Sequence, residues 1–312
     1  MNSEVARGMP AKESVFLPNL FLLGAAKCGT TTLHAYLDDL PDVCMSRPKE
    51  PFFFEAEFER GLGFYRERYF AHWRGEPVIG DARHRNLYLP YVPERIHAVN
   101  PRAKLLVLVR NPIERAFSHW YHYHWQHRDP LGFWEAIQAD WKRIQAGLRY
   151  DTPEEIAEHA RHLGPDERGN TGYGIYRTYL DSGYYYQQIK RYLALYPAEN
   201  LRVILFEDLV SHPQDIVSEL VEFLAMDPAT NRFSKERWEN PANLPLWLKR
   251  LVERARLRER IAFPIRKAFR NARNLWRRQQ IDARTRRWLR DHYRDHNRAL
   301  EEFLQRDLAS WV

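Results

Sequence analysis

Cysteine and long apolar runs are both scarce in this sequence of 312 residues. Its two cysteines, Cys28 and Cys44, are too few for a disulfide framework in a chain of this length, which favours a reducing compartment. No window reaches 18 apolar residues, and the first apolar stretch, 15–26, is interrupted at Pro18 and Asn19. We therefore expect neither a signal peptide nor a membrane span, and we expect a cytoplasmic protein.

Acidic residues are scarce in one long segment. Residues 245–290 carry sixteen Lys or Arg against three acids, a net charge of +13 in a chain whose total is +7, so the remainder carries −6. Apolar residues at helical spacing between the arginines, from Ile261 to Trp276, predict basic amphipathic helices. Such helices could contact a membrane or another anionic surface, or pack on their own domain. We do not expect a nucleic-acid partner.

The pattern along the chain alternates strands with helices. Apolar runs at 19–23, 104–109 and 201–206 predict buried strands, shorter candidates lie at 43–45 and 78–80, and helical patterns follow the three longer runs. This alternation predicts a three-layer α/β/α fold around a mostly parallel sheet. We divide the chain into a flexible leader, 1–17, and one domain, 18–312. Its α/β core spans 18–240 and its helical, arginine-rich segment spans 241–312.

The loop after the first strand carries the strongest local signal. Gly24 and Gly29 have the separation of a Walker A loop, and a helix with a predicted threonine cap begins at Thr30. Backbone N–H groups and the positive end of a helix favour an anion there. The lysine stands inside the loop, at Lys27, so the match to metal-assisted nucleotide hydrolysis is poor. The alternative is an ordinary strand-to-helix turn with an incidental lysine. Beside Lys27 and the helix end, Cys28 is predicted to have an acidic thiol.

A second anion site is predicted after the strand at 104–109. Arg110 stands where a parallel strand delivers its carboxyl end, and Ser118 follows on the next helix. A guanidinium donates in two parallel directions, which suits a phosphate, and a hydroxyl can complete the contact. The alternative is a surface salt bridge. The two loops together predict a ligand with two separated anionic groups.

Three motifs in this order resemble the sulfotransferases that use 3′-phosphoadenosine 5′-phosphosulfate (PAPS). They are FLLGAAKCGTT at 21–31, KEPFFF at 49–54 and LVRNPIERAFS at 108–118. The chain looks most like the branch that contains the heparan-sulfate and other carbohydrate sulfotransferases and their bacterial relatives. The likeness covers most of residues 19–225, and the stretches 293–300 and 306–311 also look like the end of such a domain. It implies a P-loop NTPase-like fold.

The resemblance also implies an activity and a set of site residues. The sulfuryl group would pass in line from PAPS to a hydroxyl or amine of a carbohydrate, lipid or small metabolite, releasing PAP without a metal. The residues implied for the 5′-phosphosulfate are Ala26, Lys27, Cys28, Gly29, Thr30, Thr31 and Thr32. Arg110 and Ser118 would bind the 3′-phosphate. Glu50 would be the general base, and Lys27 would stabilise charge on the leaving oxygen. Paired with Arg47 or Lys49, Glu50 could instead be a solvated loop carboxylate.

The sequence departs from the family near the acceptor. Relatives often carry a Glu-Lys pair after the strand at 78–80, where this chain has Asp81 and Ala82, so Arg83 could substitute from one position away. The predicted acceptor-side residues are Arg83, His84, His119 and Tyr184. The histidines at 119, 122, 124 and 127 have metal-ligand spacing, but we expect no metal site.

Two other functional classes are also compatible with the sequence. A P-loop nucleotide kinase or NTPase would hold Mg²⁺ with an acid at a strand end, for which Asp81 or Asp208 could serve. A binding protein would use the basic helices of 245–290 on a membrane or a nucleic acid.

Overall fold

Five parallel strands form the centre of the fold. The structure of the protein, a computed structural model, describes residues 16–126, 128–148, 152, 154–155, 177–232 and 281–311. The strands are β1 Leu20–Gly24, β2 Val43–Met45, β3 Val78–Ala82, β4 Lys104–Val109 and β5 Leu201–Leu205. They are arranged in the order β2-β3-β1-β4-β5. β1 is buried along its whole length, as is β4 beyond Lys104, because helices cover both faces of the sheet. The predicted α/β fold is confirmed.

Helices connect and cover the strands. They include α1 Thr30–Asp38, α2 Gly61–Tyr69, α3 Arg85–Tyr88, α4 Val92–Val99, α5 Pro112–Trp125, α6 Phe133–Gln145, α7 Tyr185–Leu193, α8 Phe206–Ser211, α9 Pro213–Phe223 and α10 Ala283–Leu304. The connection after β1 leads to one side of the sheet and the connection after β4 leads to the other. Where the connections of two neighbouring strands lead in opposite directions, a crevice forms at the carboxyl ends of those strands, and α/β proteins bind ligands there.

The strand ends determine which loops share that crevice. β1 pairs with β4 from Leu20 to Leu22, and the register shifts between Leu22 and Gly24, where the chain leaves the sheet. The predicted strand at 201–206 ends one residue early, because Phe206 begins α8 at the edge of the sheet. Phe206 thereby becomes a residue of the crevice rather than of the sheet.

The C-terminal helix α10 belongs to a second hydrophobic cluster. It packs against α5 and α7. Its buried residues recur every three or four positions: Thr285, Leu289, Tyr293, Asn297 and Leu300. The cluster fills the space beside the sheet with side chains of α5, α6 and α10.

Part of the predicted basic segment is visible, and it contacts the domain. Arg286 pairs with Glu114 of α5 at 3.1 Å, and the Arg284 guanidinium lies 4.6 Å from the centre of a Trp134 ring. The described residues exclude 1–15, which is most of the predicted leader, and 233–280, which contains most of the predicted basic helices. Within the described part of the chain, no helix combines the length and apolar character that crossing a membrane requires.

Candidate functional site

The loop between β1 and α1 takes the compact form that its glycines allow. Lys27 and Gly29 have positive φ angles of 67° and 95°. A Cβ on Gly29 would lie 3.0 Å from the Phe206 ring. The backbone therefore turns at a position where only glycine fits both the dihedral angle and the space.

The start of α1 corrects the predicted threonine cap. Gly29 in the left-handed conformation occupies the N-cap position, and no side chain caps this helix. Thr30 and Thr32 are buried, whereas Thr31 is exposed. The positive end of α1 therefore meets the crevice through its backbone, an arrangement suited to an anion.

Cys28 is structural rather than reactive. It is fully buried, with its Sγ 3.7 Å from the carbonyl oxygen of Ala26 and 3.8 Å from the Tyr185 hydroxyl. Burial raises the pKa of the Cys28 thiol to about 11 and outweighs the positive charges of Arg115 and Arg110. The prediction of an acidic thiol is wrong, because it considered the helix end and Lys27 but not the burial.

Arg110 lies directly against that loop. Its Nη1 donates to the carbonyl oxygen of Lys27 at 3.4 Å, and its guanidinium carbon lies 4.5 Å from the centre of the Phe206 ring. Ser118 is buried on α5. The two motifs that the sequence presents as separate anion sites are therefore adjacent at Arg110 and Lys27.

Glu50 is held by donors on every side. Its backbone has a positive φ of 68°, and its N–H donates to Ala82 at 3.1 Å. Lys49 Nζ lies 2.6 Å from Glu50 Oε1. The backbone N–H and the Nδ1 of His84 lie 3.1 and 2.9 Å from Oε2. The predicted catalytic carboxylate thus forms a close pair with His84, which follows the neighbouring strand β3.

The charge of Glu50 is strongly favoured. Burial raises the pKa of its carboxyl, but the nearby charges of Lys49, His84 and Arg83 outweigh the burial and place the pKa well below its ordinary value. Glu50 is therefore an ionised carboxylate at neutral pH. The alternative interpretation of Glu50, a carboxylate paired with Lys49, holds for one of its two oxygens.

Arg83 contacts the loop that carries Glu50 instead of reaching an acceptor. It is buried, and its Nε donates to Glu55 Oε2 at 2.6 Å. Its guanidinium also lies 3.7 Å from the centre of the Phe52 ring and donates to the Glu50 carbonyl oxygen at 3.2 Å. Glu55 pairs with Arg85 as well, at 3.1 Å. The predicted acceptor role of Arg83 is corrected, because its charge is engaged by the buried Glu55.

His119 lies on α5 and packs edge-on against the Tyr179 ring. It is buried, with Nδ1 3.5 Å from Arg115 Nη1. Burial, Arg115, His84 and Lys27 all hold its pKa well below the ordinary imidazole value. The ring is therefore neutral at pH 7.

Tyr184 stands apart from this group. Its hydroxyl lies 2.8 Å from His292 Nε2, and its ring stacks on His296 at 3.8 Å between centroids. Both histidines belong to α10. The structure thus places the Tyr184 ring against the C-terminal helix, and its acceptor-side role stays a prediction.

Two residues without a predicted role support the site. Tyr185 donates to the Arg110 carbonyl oxygen at 2.8 Å and contacts Cys28, so it joins the loops after β4 and β1. Arg115 is completely buried and donates to the Tyr179 carbonyl oxygen. The sequence shows Arg115 five residues after Arg110 but carries no sign that its side chain is buried.

The acids that could serve an Mg²⁺ site are engaged elsewhere. Asp81 is buried, accepts hydrogen bonds from Tyr65 and Asn86, and has a pKa raised to about 7 by burial. Asp208 pairs with Arg306 at 2.8 Å. Among the described residues no three His, Cys, Asp or Glu side chains converge as metal ligands, and His127 of the histidine series lies outside them.

Comparison with known proteins places these features in a family. Residues 17–240 match the family model described as sulfotransferase domain. A bifunctional heparan sulfate N-deacetylase/N-sulfotransferase 2 of Bos taurus is 26% identical over 95% of this chain and 31% of its own length. The membrane-associated sulfotransferase kil1 of Dictyostelium discoideum is 25% identical over 67% of this chain and 56% of its own length. The chain thus spans about a third to a half of these two curated relatives.

A solved structure is similar over nearly the whole chain. It is a sulfotransferase from Alicyclobacillus acidocaldarius, 25% identical, with a TM-score of 0.63 over 95% of this chain and 99% of its own. The similarity therefore extends beyond the three motifs to the arrangement of the sheet and helices.

Proposed function

The chain belongs to the sulfotransferase domain family, and on that premise we propose that it transfers the sulfuryl group of PAPS to a hydroxyl or amine of an acceptor and releases PAP. The main support is that the loops after the parallel strands bring Arg110 against Lys27 and Glu50 against His84 at the same edge of the sheet. Two cationic side chains and a helix end favour the anionic donor there, beside a carboxylate–imidazole pair that can accept a proton.

The residues present fit the two charged ends of PAPS. The loop amides, Lys27 and the N-terminal turn of α1 suit the 5′-phosphosulfate, with Ala26, Cys28 and Gly29 contributing backbone and Thr30 to Thr32 beginning the helix. Arg110, oriented by Phe206 and Tyr185, suits the 3′-phosphate together with Ser118.

The transfer balances without a further reactant. The acceptor loses a proton to the Glu50–His84 pair, its oxygen or nitrogen forms a bond to sulfur, and the bond from sulfur to the 5′-phosphate oxygen breaks. PAP leaves with that electron pair, and Lys27 with the loop amides stabilises the charge on the departing phosphate.

We further propose a carbohydrate acceptor. The support is the similarity to relatives named for heparan sulfate, which spans 95% of this chain. The chain departs from the family at Asp81 and Ala82, so the proposal names the class of acceptor and not the glycan of those relatives.

The test is PAPS turnover over a panel of acceptors, measured as PAP release. The panel contains glucuronic acid–glucosamine oligosaccharides with free amines, the same oligosaccharides N-acetylated, glucosamine, a phenol and a simple alcohol. Reactions without acceptor serve as the control. We expect release that depends on a sugar acceptor, and the comparison of free and acetylated amines separates N- from O-transfer. Release with the phenol alone would contradict the carbohydrate proposal, and absence of both turnover and PAP binding would contradict sulfuryl transfer.

A further inference from the structure

Three buried arginines lie within the part of the chain that the structure describes, and one of them lacks a charged partner. Arg83 pairs with Glu55, and Arg143 pairs with Asp140 at 2.8 Å. Arg115 is the most buried of the three, at 0% exposure, yet no carboxylate among the described residues pairs with it. A buried charge without an opposite charge lowers the stability of a folded protein. The fold therefore retains a charge that its own stability does not favour.

The Arg115 guanidinium contacts neutral groups instead. Its Nη2 donates to the Tyr179 carbonyl oxygen, and its Nη1 lies 3.5 Å from His119 Nδ1. Its Nε has no hydrogen-bond partner among the described residues. Glu114 precedes it in the sequence, but the Glu114 carboxylate pairs with Arg286 of α10 at 3.1 Å. Because a guanidinium stays protonated in a protein, these contacts leave the positive charge of Arg115 uncompensated.

Arg115 lies in the first turn of α5, the helix that follows β4. Its backbone N–H donates to Asn111, the N-cap residue of α5, which comes directly after Arg110. Ser118 is three residues further along, and residues with this spacing lie on the same side of a helix. The loop after β1 is also within reach, since burial raises the pKa of Cys28 and the charge of Arg115 opposes that rise. The charge of Arg115 thus adds to the positive potential where Arg110 and Ser118 suit a phosphate.

We propose that Arg115 is a supporting residue of the PAPS site, whose buried charge strengthens the binding of the anionic donor without contacting it and lowers the stability of the ligand-free protein. This inference rests on the proposed sulfuryl transfer and deepens it. A charge in a low-dielectric interior acts on a nearby anion more strongly than a solvated charge does. The bound phosphate in turn supplies the negative charge that Arg115 lacks, so binding relieves the cost of its burial.

The alternative is that Arg115 only holds the backbone at Tyr179. Tyr293 also donates to the Tyr179 carbonyl oxygen, at 3.2 Å, so this oxygen keeps a donor when the guanidinium is removed. Arg115→Met keeps an unbranched side chain of nearly the same length and removes the charge. A structural Arg115 predicts a less stable ligand-free protein with unchanged PAP affinity. The supporting role predicts the reverse of both results.

The experiment compares wild type, Arg115→Met, Arg115→Lys and the control Arg143→Met. Arg143 is the matched control because it is a buried arginine of α6 whose charge Asp140 and Asp181 compensate. Each protein is measured for its melting temperature without ligand and for PAP affinity by calorimetry.

We expect Arg115→Met to melt at or above the wild-type temperature and to bind PAP about 10- to 50-fold more weakly. Arg115→Lys keeps the charge without the fork of the guanidinium, and its PAP affinity should stay within about fivefold of wild type. Arg143→Met should melt several degrees below wild type, because it leaves buried carboxylates without their cation, and should bind PAP within about twofold of wild type.

Each contrary result has a distinct meaning. An Arg115→Met protein that does not fold, or that melts several degrees below wild type, overturns the proposal, because the ligand-free fold then needs the guanidinium. Unchanged PAP affinity of Arg115→Met overturns it as well, and so does an equal loss in Arg115→Lys, which retains the charge. A wild type that neither binds PAP nor turns over PAPS overturns the proposed function itself, whereas the ligand-free melting temperatures still decide whether the Arg115 charge is uncompensated.

Discussion

Arg110 donates from Nη1 to the backbone carbonyl oxygen of Lys27 at 3.4 Å. The contact joins the loop after β4 to the loop after β1, across the neighbouring ends of the two central strands. Arg110 therefore has two tasks, since it presents positive charge to the crevice and steadies the turn in which Lys27 has a positive φ.

Replacing Arg110 with alanine weakens PAP binding. We expect a loss of about 2–4 kcal/mol in binding free energy, measured by calorimetry, because a charge-assisted phosphate contact and the support of the Lys27 loop are lost together. Arg102→Ala is the matched control, since Arg102 is exposed and precedes the amino end of β4. An unchanged PAP affinity of Arg110→Ala would remove Arg110 from the donor site.

Replacing Glu50 with glutamine separates catalysis from donor binding. The amide keeps the size of the side chain but removes the charged carboxylate that pairs with His84 and can accept a proton from the acceptor. We expect kcat to fall about 10²–10⁴-fold with PAP affinity nearly unchanged. Glu94→Gln, at an exposed position of α4, is the control. Equal turnover of Glu50→Gln and wild type would show that the Glu50 charge plays no part in proton transfer.

A methyl group at position 29 would press on the Phe206 ring and so disturb Arg110. The added Cβ lies 3.0 Å from the Phe206 ring, which in turn packs under Arg110. We expect Gly29→Ala to lower the free energy of unfolding by about 1–3 kcal/mol through overpacking and to weaken PAP binding as well. Gly61→Ala is the control, because its φ of 76° is also positive but a Cβ there meets nothing within 4 Å. Similar chemical unfolding curves for the two variants would contradict the contact with Phe206.

The two cysteines are unreactive in the folded protein. Both thiols are buried, and burial raises the pKa of each to about 11. Because the thiolate is the reacting form, we expect a disulfide reagent at pH 7.5 to modify the native protein about 100-fold more slowly than the unfolded chain. The protein unfolded in guanidinium supplies the reference rate for both thiols. Rapid modification of Cys28 in the native protein, located by mass spectrometry, would show that this thiol has the acidic character that its loop position suggested.

The sheet was predictable because its central strands are buried on both faces. Continuous apolar runs mark β1 and β4 without regard to their neighbours, and parallel strands deliver Lys27 and Arg110 to the same edge. The edge strand β5 was less clear at its end. There Phe206 continues the apolar run in the sequence although it begins α8.

The finer structure of the site depended on contacts between distant segments. The sequence separates Glu50 from His84 by 34 positions, and only the pairing of β2 with β3 brings their loops together. The partner of Arg83 could not be predicted either, because Glu55 lies 28 positions away in a segment without a regular hydrophobic pattern. Tyr184 could be assigned to the packing of α10 only once the helix itself was in place.

Ligand-dependent thermal unfolding tests sulfuryl transfer against nucleotide hydrolysis most directly. The protein is heated with PAP in the presence of a metal chelator and, separately, with Mg·ATP. We expect PAP under chelation to raise the melting temperature, with about 2.7 kcal/mol of stabilisation at 100 times its dissociation constant, and Mg·ATP to have little effect. Stabilisation by Mg·ATP alone, with none by PAP, would contradict the assignment of this site to PAPS.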